Sequence, residues 1–379
     1  MEAVIVAGGL GSRLRPLTDR HPKHLLPVAG VPLLGHQLAR LSAAGIEHVV
    51  LATSYRAGEL EAVLGGGADY GVRLTYANEE VPLGTGGGIR NALDLLEGGP
   101  DDPVVVLNGD QLSDHDLAAQ VGAFRDSAAD VSLHLVVVAD PRSYGCVPTE
   151  PGGRVTAFLE KPSDPVTRQV NAGCYVFRRK IIADIPAGVP VSVERETFPR
   201  LLRDGRLLIG HRDDGYWMDV GTPAALVKAS SDLVRGLARS PALKAQPAEL
   251  LAHPTSSVDA TARVVGGSSL GPDTTVGPGV FVDGSVLMAD AVVAAGATVV
   301  QSALGPGARV GPDAVIDGSV LGDRADVGAR CELVGGVRVG CDVRIPVDGV
   351  RFSAGERASP RTRSLDVFTS AAGVPTSVQ

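Results

Sequence analysis

The amino-acid sequence predicts an α/β chain in two parts: an amino-terminal domain on a mixed, mostly parallel sheet, then a carboxy-terminal parallel β-helix. Two observations carry this prediction. Over roughly the first 225 residues, short apolar runs alternate with amphipathic stretches, the mark of strands alternating with helices. From Val258 onward an aliphatic residue instead returns at about every sixth place. A length of 379 residues suits two such domains.

In chain order, Ala3 to Ala7, His48 to Ala52, Arg73 to Ala77, Val104 to Leu107 and Ser132 to Val138 read as strands, while Leu33 to Ala44 and Gly88 to Leu96 carry helical spacing. Ligands of such sheets sit beyond the carboxyl ends of strands, so chemistry is expected just after Ala7, Ala77 and Leu107. Around Leu233, Val234 and Leu237 a helix leads into a Ser, Ala, Pro and Arg-rich connector. The expected domains are 1–232, a connector over 233–257, a β-helix over 258–349, and a cap or flexible tail over 350–379.

The repeat runs through Val258, Val264, Leu270, Val276, Val282, Met288, Ala294 and Val300. After a shortened step it resumes at Leu304, Val310 and Ile316, then shortens again to Leu321, Val327, Leu333, Val339 and Ile345. One aliphatic per short strand points into a narrow prism, and Gly, Asp or Pro after it turns the chain. An ordinary sandwich would alternate with period 2.

Composition narrows the function. With 35 Lys and Arg against 43 Asp and Glu the formal charge is -8. This argues against a protein that lives on nucleic-acid backbones. Cys146, Cys174, Cys331 and Cys341 show neither a CxxC pair nor metal-ligand spacing, which fits a reducing cytoplasm. No basic leader precedes the first strand and no apolar run reaches membrane-spanning length, so a soluble, unexported chain is expected. His36 and His48 lie on or near core elements, His115 follows a turn, and no serine stands in a nucleophile elbow; these histidines read as structural or exposed.

After the first strand comes Ala7-Gly8-Gly9-Leu10-Gly11-Ser12-Arg13-Leu14-Arg15-Pro16-Leu17-Thr18, then Pro22-Lys23. Glycines let backbone amides approach an anion, and Arg13 and Lys23 add positive charge. The spacing matches neither GxGxxG nor GxxxxGK[ST]. Asp110 follows the strand Val104 to Leu107 directly, where a carboxylate can meet a hard cation or simply close an Asn-Gly-Asp turn. Asp219 is either a second such carboxylate or a capping residue.

The stretch Gly8 to Lys23 resembles the opening signature of the sugar-1-phosphate nucleotidyltransferases, GGxGxRLxPLTxxxPK, with His24 where the family commonly has proline. Six further matches follow in the family's order: Pro82 to Gly87, Asn108-Gly109-Asp110, Tyr144-Gly145, Phe158 to Pro162, Asn171-Ala172-Gly173 and Trp217 to Pro223. The resemblance covers about residues 1 to 232, and a hexapeptide coil is common in the family. It implies a Rossmann-like nucleotidyltransferase domain followed by a left-handed parallel β-helix. It further implies Mg²⁺ on Asp110 and Asp219, with Arg13, Lys23, Asp110, Lys161 and Asp219 as the catalytic set. Nucleotide binding falls to Ala7, Gly8, Gly9, Gly11, Ser12, Arg13, Lys23, Gly84, Thr85 and Asn108, with Glu80 as an acceptor for a guanine amino edge. Gly145, Glu160, Lys161 and Asn171 take the sugar phosphate. Gly84 to Gly87 resembles the loop under the nucleobase, where missing side chains leave room for a flat ring.

The chemistry so implied is attack of a sugar-1-phosphate oxygen on the α-phosphorus of a nucleoside triphosphate, which needs alignment and charge neutralisation rather than a general base. The wording Pro-Leu-Gly-Thr-Gly-Gly ranks GTP first, then dTTP or UTP, then ATP, with mannose-1-phosphate as the default acceptor and glucose-1-phosphate, another sugar or a cyclitol phosphate as alternatives. An acyltransferase coil would want a histidine base, and none follows His253. A non-catalytic regulatory subunit would have no need of the intact charged set. The β-helix is expected to mediate a homo-oligomer or to carry a regulatory surface.

Overall fold

The computed structural model describes residues 1–54 and 56–350, together with the backbone of Asp366–Val367. Apart from Val350 and that short strand, the expected cap or tail over 350–379 lies outside the described residues. Up to residue 234 the elements are β1 (Glu2–Val6), β2 (Pro27–Val28), β3 (Val31–Pro32), α1 (Leu33–Ala43), β4 (His48–Thr53), α2 (Ala57–Leu64), β5 (Arg73–Asn78), α3 (Gly84–Ala92), β6 (Pro103–Asn108), β7 (Gln111–Ser113), α4 (Leu117–Arg125), β8 (Val131–Val137), β9 (Gly145–Cys146), β10 (Leu159–Glu160), β11 (Gln169–Arg178), α5 (Arg179–Ala183), α6 (Phe198–Arg203), β12 (Leu208–Arg212), β13 (Trp217–Asp219) and α7 (Pro223–Val234).

Contacts gather the chain into two compact units that do not follow chain order. One comprises Met1–Leu10, Leu33–Asp219 and Ser240–Ala242; the other comprises Gly11–Pro32, Val220–Arg239 and the chain from Leu243 onward. The loop after the first strand thus clusters with the repeat region.

The first unit is a nine-stranded sheet, ordered β10-β9-β11-β6-β1-β4-β5, with β8 pairing β11 and β12. β6, β1, β4 and β5 run parallel, and β11 runs antiparallel to β6 and β8. Strands covered on both faces read as continuous apolar runs, which is why Val104–Leu107 and His48–Thr53 are buried throughout. The helix expected from Gly88 begins four residues earlier at Gly84 and ends at Ala92 in a 3-10 turn, Leu93–Leu95. Its glycine-rich opening is therefore helix.

In the second unit Thr222 caps α7 by accepting a hydrogen bond from the Ala225 amide at 3.2 Å, with Pro223 in the first turn. α7 ends at Val234, so Leu237 lies beyond it and is 62% exposed. Within the expected connector, Leu250–Ala252 already forms a strand parallel to Ser268–Leu270. The coils then build three all-parallel sheets, the arrangement of a left-handed β-helix.

The repeat differs in phase from its sequence reading. The residues stacked in the interior after Val282 are Leu287, Val293 and Val299, not Met288, Ala294 and Val300. Ala294 and Val300 are only half-buried, and Met288, although buried, lies outside that core. The cause is one corner. A single left-handed residue, Gly284, turns the chain after Phe281–Asp283, and Gln301 and Gly318 do the same in the next coils. There stacked serines are 17 residues apart. Where two left-handed glycines make the corner, at Gly266-Gly267 and Gly335-Gly336, the spacing is 18. At these corners the amides of Ser285, Ser302 and Ser319 donate to the buried hydroxyls of Ser268, Ser285 and Ser302 at 3.0 to 3.1 Å, which satisfies donors that would otherwise be stranded.

Candidate active site

At the carboxyl edge of the sheet, the Ala7 amide donates to Ala52 O at 2.8 Å as the chain leaves β1. A side chain at Gly8 would press on Ser54 Oγ at 3.1 Å, while Gly9 is exposed. Beside it β6 ends at Asn108, the Gly109 amide donates to Val6 O at 2.8 Å, and half-buried Asp110 leads into β7. β7 pairs antiparallel with β13, and Asp219 stands opposite Gln111. The two expected metal carboxylates thus sit at one end of one two-stranded ribbon, one residue out of register.

That turn is held from beneath by a residue the sequence did not flag. Gln37 Nε2, buried on α1, donates to Asn108 O at 2.9 Å and to Gln111 O at 2.7 Å. The available signal was an amide on the otherwise apolar face of Leu33, Leu34, Leu38 and Leu41. On the other side β11 bulges between Asn171 and Tyr175, with Gly173 left-handed at φ 72°. A Cβ there would lie 3.0 Å from Asn108 Nδ2, so the bulge fits against the turn only as glycine. Asn171 supports the bulge: its Nδ2 donates to the Tyr175 hydroxyl at 2.8 Å and its Oδ1 accepts the Gly173 amide at 3.0 Å. Trp217 Nε1 donates to Ala172 O at 2.8 Å, tying bulge to ribbon.

The far end of β7 rests on a buried polar cluster. Arg40 Nη2 donates to His115 Nδ1 at 2.6 Å, and His115 Nε2 meets Gln120 Oε1 at 2.9 Å. The His115 ring stacks on His134, with centroids 3.6 Å apart. Burial, then the Arg40 charge, holds both imidazoles neutral, with His134 lowered to about 3 and His115 below it. Burial likewise raises the Cys174 thiol to about 11. His36 and His48 are also buried, on Ser240 and Glu2, in keeping with structural roles.

Lys161 follows β10, whose Glu160 pairs with Gly145. Its backbone is left-handed at φ 49°, unusual for a side-chain-bearing residue, and its amide donates to Tyr144 O at 3.1 Å. This conformation presents an exposed ammonium 3.5 Å from Glu160 Oε1. A Cβ on Gly145 would fall 2.8 Å from the Phe158 ring and 3.0 Å from Glu160 Oε2.

The glycines of Gly84 to Gly87 lie close against a distant segment of the chain. A Cβ on Gly84 would lie 2.7 Å from Val191 O, and one on Gly87 2.8 Å from Val189 O. The Gly86 and Gly87 amides donate to Val191 O at 2.8 and 3.2 Å. Thr85 Oγ1 accepts from the Val193 amide at 2.9 Å and donates to Glu194 Oε2 at 2.7 Å. The missing side chains at these positions make room for the segment 189–193. Glu80 is exposed, whereas its neighbour Glu79 accepts the Leu83 amide at 2.9 Å, its carboxyl raised by burial against the pull of that amide.

Arg13 and Lys23 stand in the second unit, on the 3-10 turns Ser12–Leu14 and Lys23–Leu25; Arg13 is exposed and Lys23 half-buried. Gly11 is left-handed at φ 64°, and a Cβ there would strike Lys23 Cβ at 2.8 Å. Thr18 Oγ1 donates to Gly11 O at 2.8 Å and closes the loop. Ser12 is exposed, and His24, in the family's proline position, is buried.

Among the described residues, one trio offers metal-ligating atoms within 4.8 Å of one another: Glu2, His48 and Glu97. Glu2 and His48 begin β1 and β4, at the sheet edge opposite the carboxylate ribbon, and are bonded to each other at 2.6 Å. At the ribbon, Asp110 and Asp219 are hard oxygen donors one residue out of register, a donor type that suits Mg²⁺, which takes one or two protein oxygens and leaves its other positions to water and phosphate.

The nucleotidyl transferase family model matches residues 2–236, and the GMPPB C-terminal domain model matches 247–346. A mannose-1-phosphate guanylyltransferase of Mycobacterium tuberculosis is 51% identical over 355 residues, 93% of this chain and 98% of that protein. Mannose-1-phosphate guanylyltransferase 1 of Arabidopsis thaliana is 33% identical over 308 residues, covering 79% and 82%. Among solved structures, HddC from Yersinia pseudotuberculosis complexed with GMP-PN is 27% identical with a TM-score of 0.53, over 61% of this chain and 98% of that one.

Proposed function

Because the chain belongs to the nucleotidyl transferase family, in the group of the mannose-1-phosphate guanylyltransferases, we propose that it moves a guanylyl group from GTP to mannose-1-phosphate and releases pyrophosphate. The observation that carries the reading is the β7–β13 ribbon, which sets Asp219 opposite Gln111, the residue next to Asp110, at the carboxyl edge of the sheet.

In the reaction a phosphate oxygen of the sugar forms a bond to the α-phosphorus while the bond from that phosphorus to the oxygen bridging the β-phosphorus breaks. No proton must be removed, because the attacking phosphate is already ionised. Arg13 and Lys23 bind the triphosphate and neutralise its charge. Lys161, its ammonium aimed by a left-handed backbone, holds the sugar phosphate in line, and Glu160 accepts from sugar hydroxyls. Asp110 and Asp219 would hold Mg²⁺, which when bound would supply neutralisation of the phosphate charge. The reading also includes cytoplasmic operation, supported by four cysteines outside any disulfide, and a homo-oligomer built through the β-helix. No helix among the described residues is long and apolar enough to cross a membrane.

Pyrophosphate release with Mg²⁺ tests it, running GTP, dTTP, UTP, ATP and CTP against mannose-1-phosphate and glucose-1-phosphate. The expected signal is highest for GTP with mannose-1-phosphate. Asp110→Asn and Lys161→Ala should each lower turnover by about 10²-fold or more with far-UV circular dichroism unchanged. Wild-type rates in both variants would sink the proposal.

A further inference from the structure

The loop Gly11–Pro32 carries Arg13 and Lys23 yet has little regular structure of its own: two 3-10 turns and the β2–β3 hairpin. Between its two cationic residues, polar anchors fix it to the β-helix within the same compact unit. Arg338 Nη1 donates to Arg15 O at 2.8 Å, and the Cys341 thiol points at Pro16 O. Arg20 pairs with Asp342, which also accepts from Arg324 Nε at 2.8 Å on the preceding coil. His21 Nε2 meets Asp323 Oδ2 at 2.8 Å, and the Asp323 side chain is only 6% exposed. Asp323 and Asp342 are neighbours across adjacent coils, joined by the Asp342 amide on Asp323 O at 2.8 Å.

Apolar side chains bury much of the loop, Leu14, Leu17, Leu26 and Val28 among them, but such packing is non-directional and does not by itself fix the orientation of the main chain. Beside these anchors lies a cavity of about 240 Å³, lined by His21, Leu25, Leu26 and Pro27 of the loop and by Leu287 and Met288 of the coils. Where that packing is interrupted, the orientation of the main chain is set by its directional contacts. A carboxylate as buried as Asp323, with an imidazole as its partner, is the most constraining of them.

We propose that the β-helix is the frame that positions the phosphate-binding loop, with His21 and Asp323 as the positioning pair; the proposal rests on the guanylyl-transfer reading, which gives Arg13 and Lys23 their task. The pair touches no reacting atom. It acts by fixing the main chain two residues before Lys23, and a phosphate-binding charge displaced by about 1 Å can lose up to 10²-fold in rate. The coil then serves catalysis directly, in addition to any assembly it supports.

The test uses the full chain and separates KM from kcat for each substrate, together with GTP affinity by calorimetry without sugar. Asp323→Ala should raise the KM for GTP and weaken GTP binding by about 10-fold while leaving the KM for mannose-1-phosphate unchanged. Asp323→Asn, which can still accept from a neutral imidazole, should recover to within about 3-fold of wild type. His21→Ala combined with Asp323→Ala should be no worse than Asp323→Ala alone, because both remove one contact. Arg344→Ala, which breaks the coil-to-coil pair with Asp326, is the control and should behave as wild type. Wild-type GTP affinity and KM in Asp323→Ala overturn the proposal, as does a fall in kcat with both KM values unmoved, the mark of a merely structural loss. If the wild-type chain binds GTP but transfers nothing to either sugar phosphate, the guanylyl-transfer reading falls, and the calorimetric comparison still decides the positioning claim. If it does not bind GTP, both fall.

Discussion

The sheet unit and the β-helix exclude water from their interiors by different means. In the sheet unit Phe158, Tyr175, Phe177 and Phe198 gather with ring centroids 5.0 to 6.1 Å apart, one irregular cluster to which β11, α6 and the chain before β10 each contribute. The coil interior is a column of Val, Leu, Ile, Ala and Cys, each touching its equivalents one coil above and below. A three-dimensional cluster fails as a whole, whereas a stacked column is a sum of neighbour terms that can loosen locally. The difference suits the two tasks. Loops diverging from a rigid sheet carry chemistry, and a regular column offers a long surface on which one such loop can be anchored.

The largest effects should come from holes cut in each interior. Phe198→Ala removes a ring from the cluster and should cost about 4 kcal/mol; Ile316→Ala should cost about 3 kcal/mol in the column. The chain's single tryptophan, Trp217, lies in the sheet unit, so its fluorescence follows that unit, while far-UV circular dichroism follows both. In denaturant, Phe198→Ala should shift the fluorescence transition, and Ile316→Ala should shift the dichroism with little change in fluorescence. Both variants moving both probes together would show one cooperative unit and break the contrast.

The same contrast explains what was legible beforehand. Strands of the parallel sheet were visible because burial on both faces makes them continuous apolar runs. The repeat was visible through its period, but its phase was not, because a corner built on one left-handed residue instead of two removes a single position, and Met288, Ala294 and Val300 are apolar enough to mask the slip. At the site, Asp110, Asp219 and Lys161 stood out through motif wording. Their supports did not: Gln37 under the turn and the 189–193 segment over Gly84 to Gly87 are distant in sequence. Asp323 beneath His21 is likewise separated from it by nearly the whole chain, and no local pattern announces such a pair.

Acid should separate the sheet unit from the coils next. His115 and His134 are buried and neutral, with His134 lowered to about 3, whereas an unfolded histidine titrates near its ordinary value of about 6.5. Below that ordinary value the unfolded chain binds protons that the folded one refuses. Their contribution is therefore intact above about pH 6.5 and is lost as pH falls, by about 2 kcal/mol per imidazole at pH 5. The coils hold only His253, which is exposed. Thermal unfolding followed by Trp217 fluorescence should move to lower temperature between pH 7.5 and pH 5, with the coil transition nearly still. A fluorescence transition independent of pH in this range would mean that the buried pair can take up a proton in place.

The smallest expected effect probes the column's corners. Gln301 adopts φ 45° where the equivalent corners use Gly284 and Gly318. Holding a side-chain-bearing residue in the left-handed region costs about 1–2 kcal/mol. Replacing it by glycine returns about 0.5–1 kcal/mol to the unfolded chain as conformational freedom. The first quantity is the larger, so Gln301→Gly should stabilise the β-helix, by about 0.5 kcal/mol, and raise the coil transition without moving Trp217 fluorescence. The Gln301 amide also lies over Gly284, where a Cβ would come within 2.1 Å of Nε2. A net loss of stability in Gln301→Gly would show that this covering contact outweighs the backbone strain, and that the corner residue is kept for what its side chain shields rather than tolerated despite its conformation.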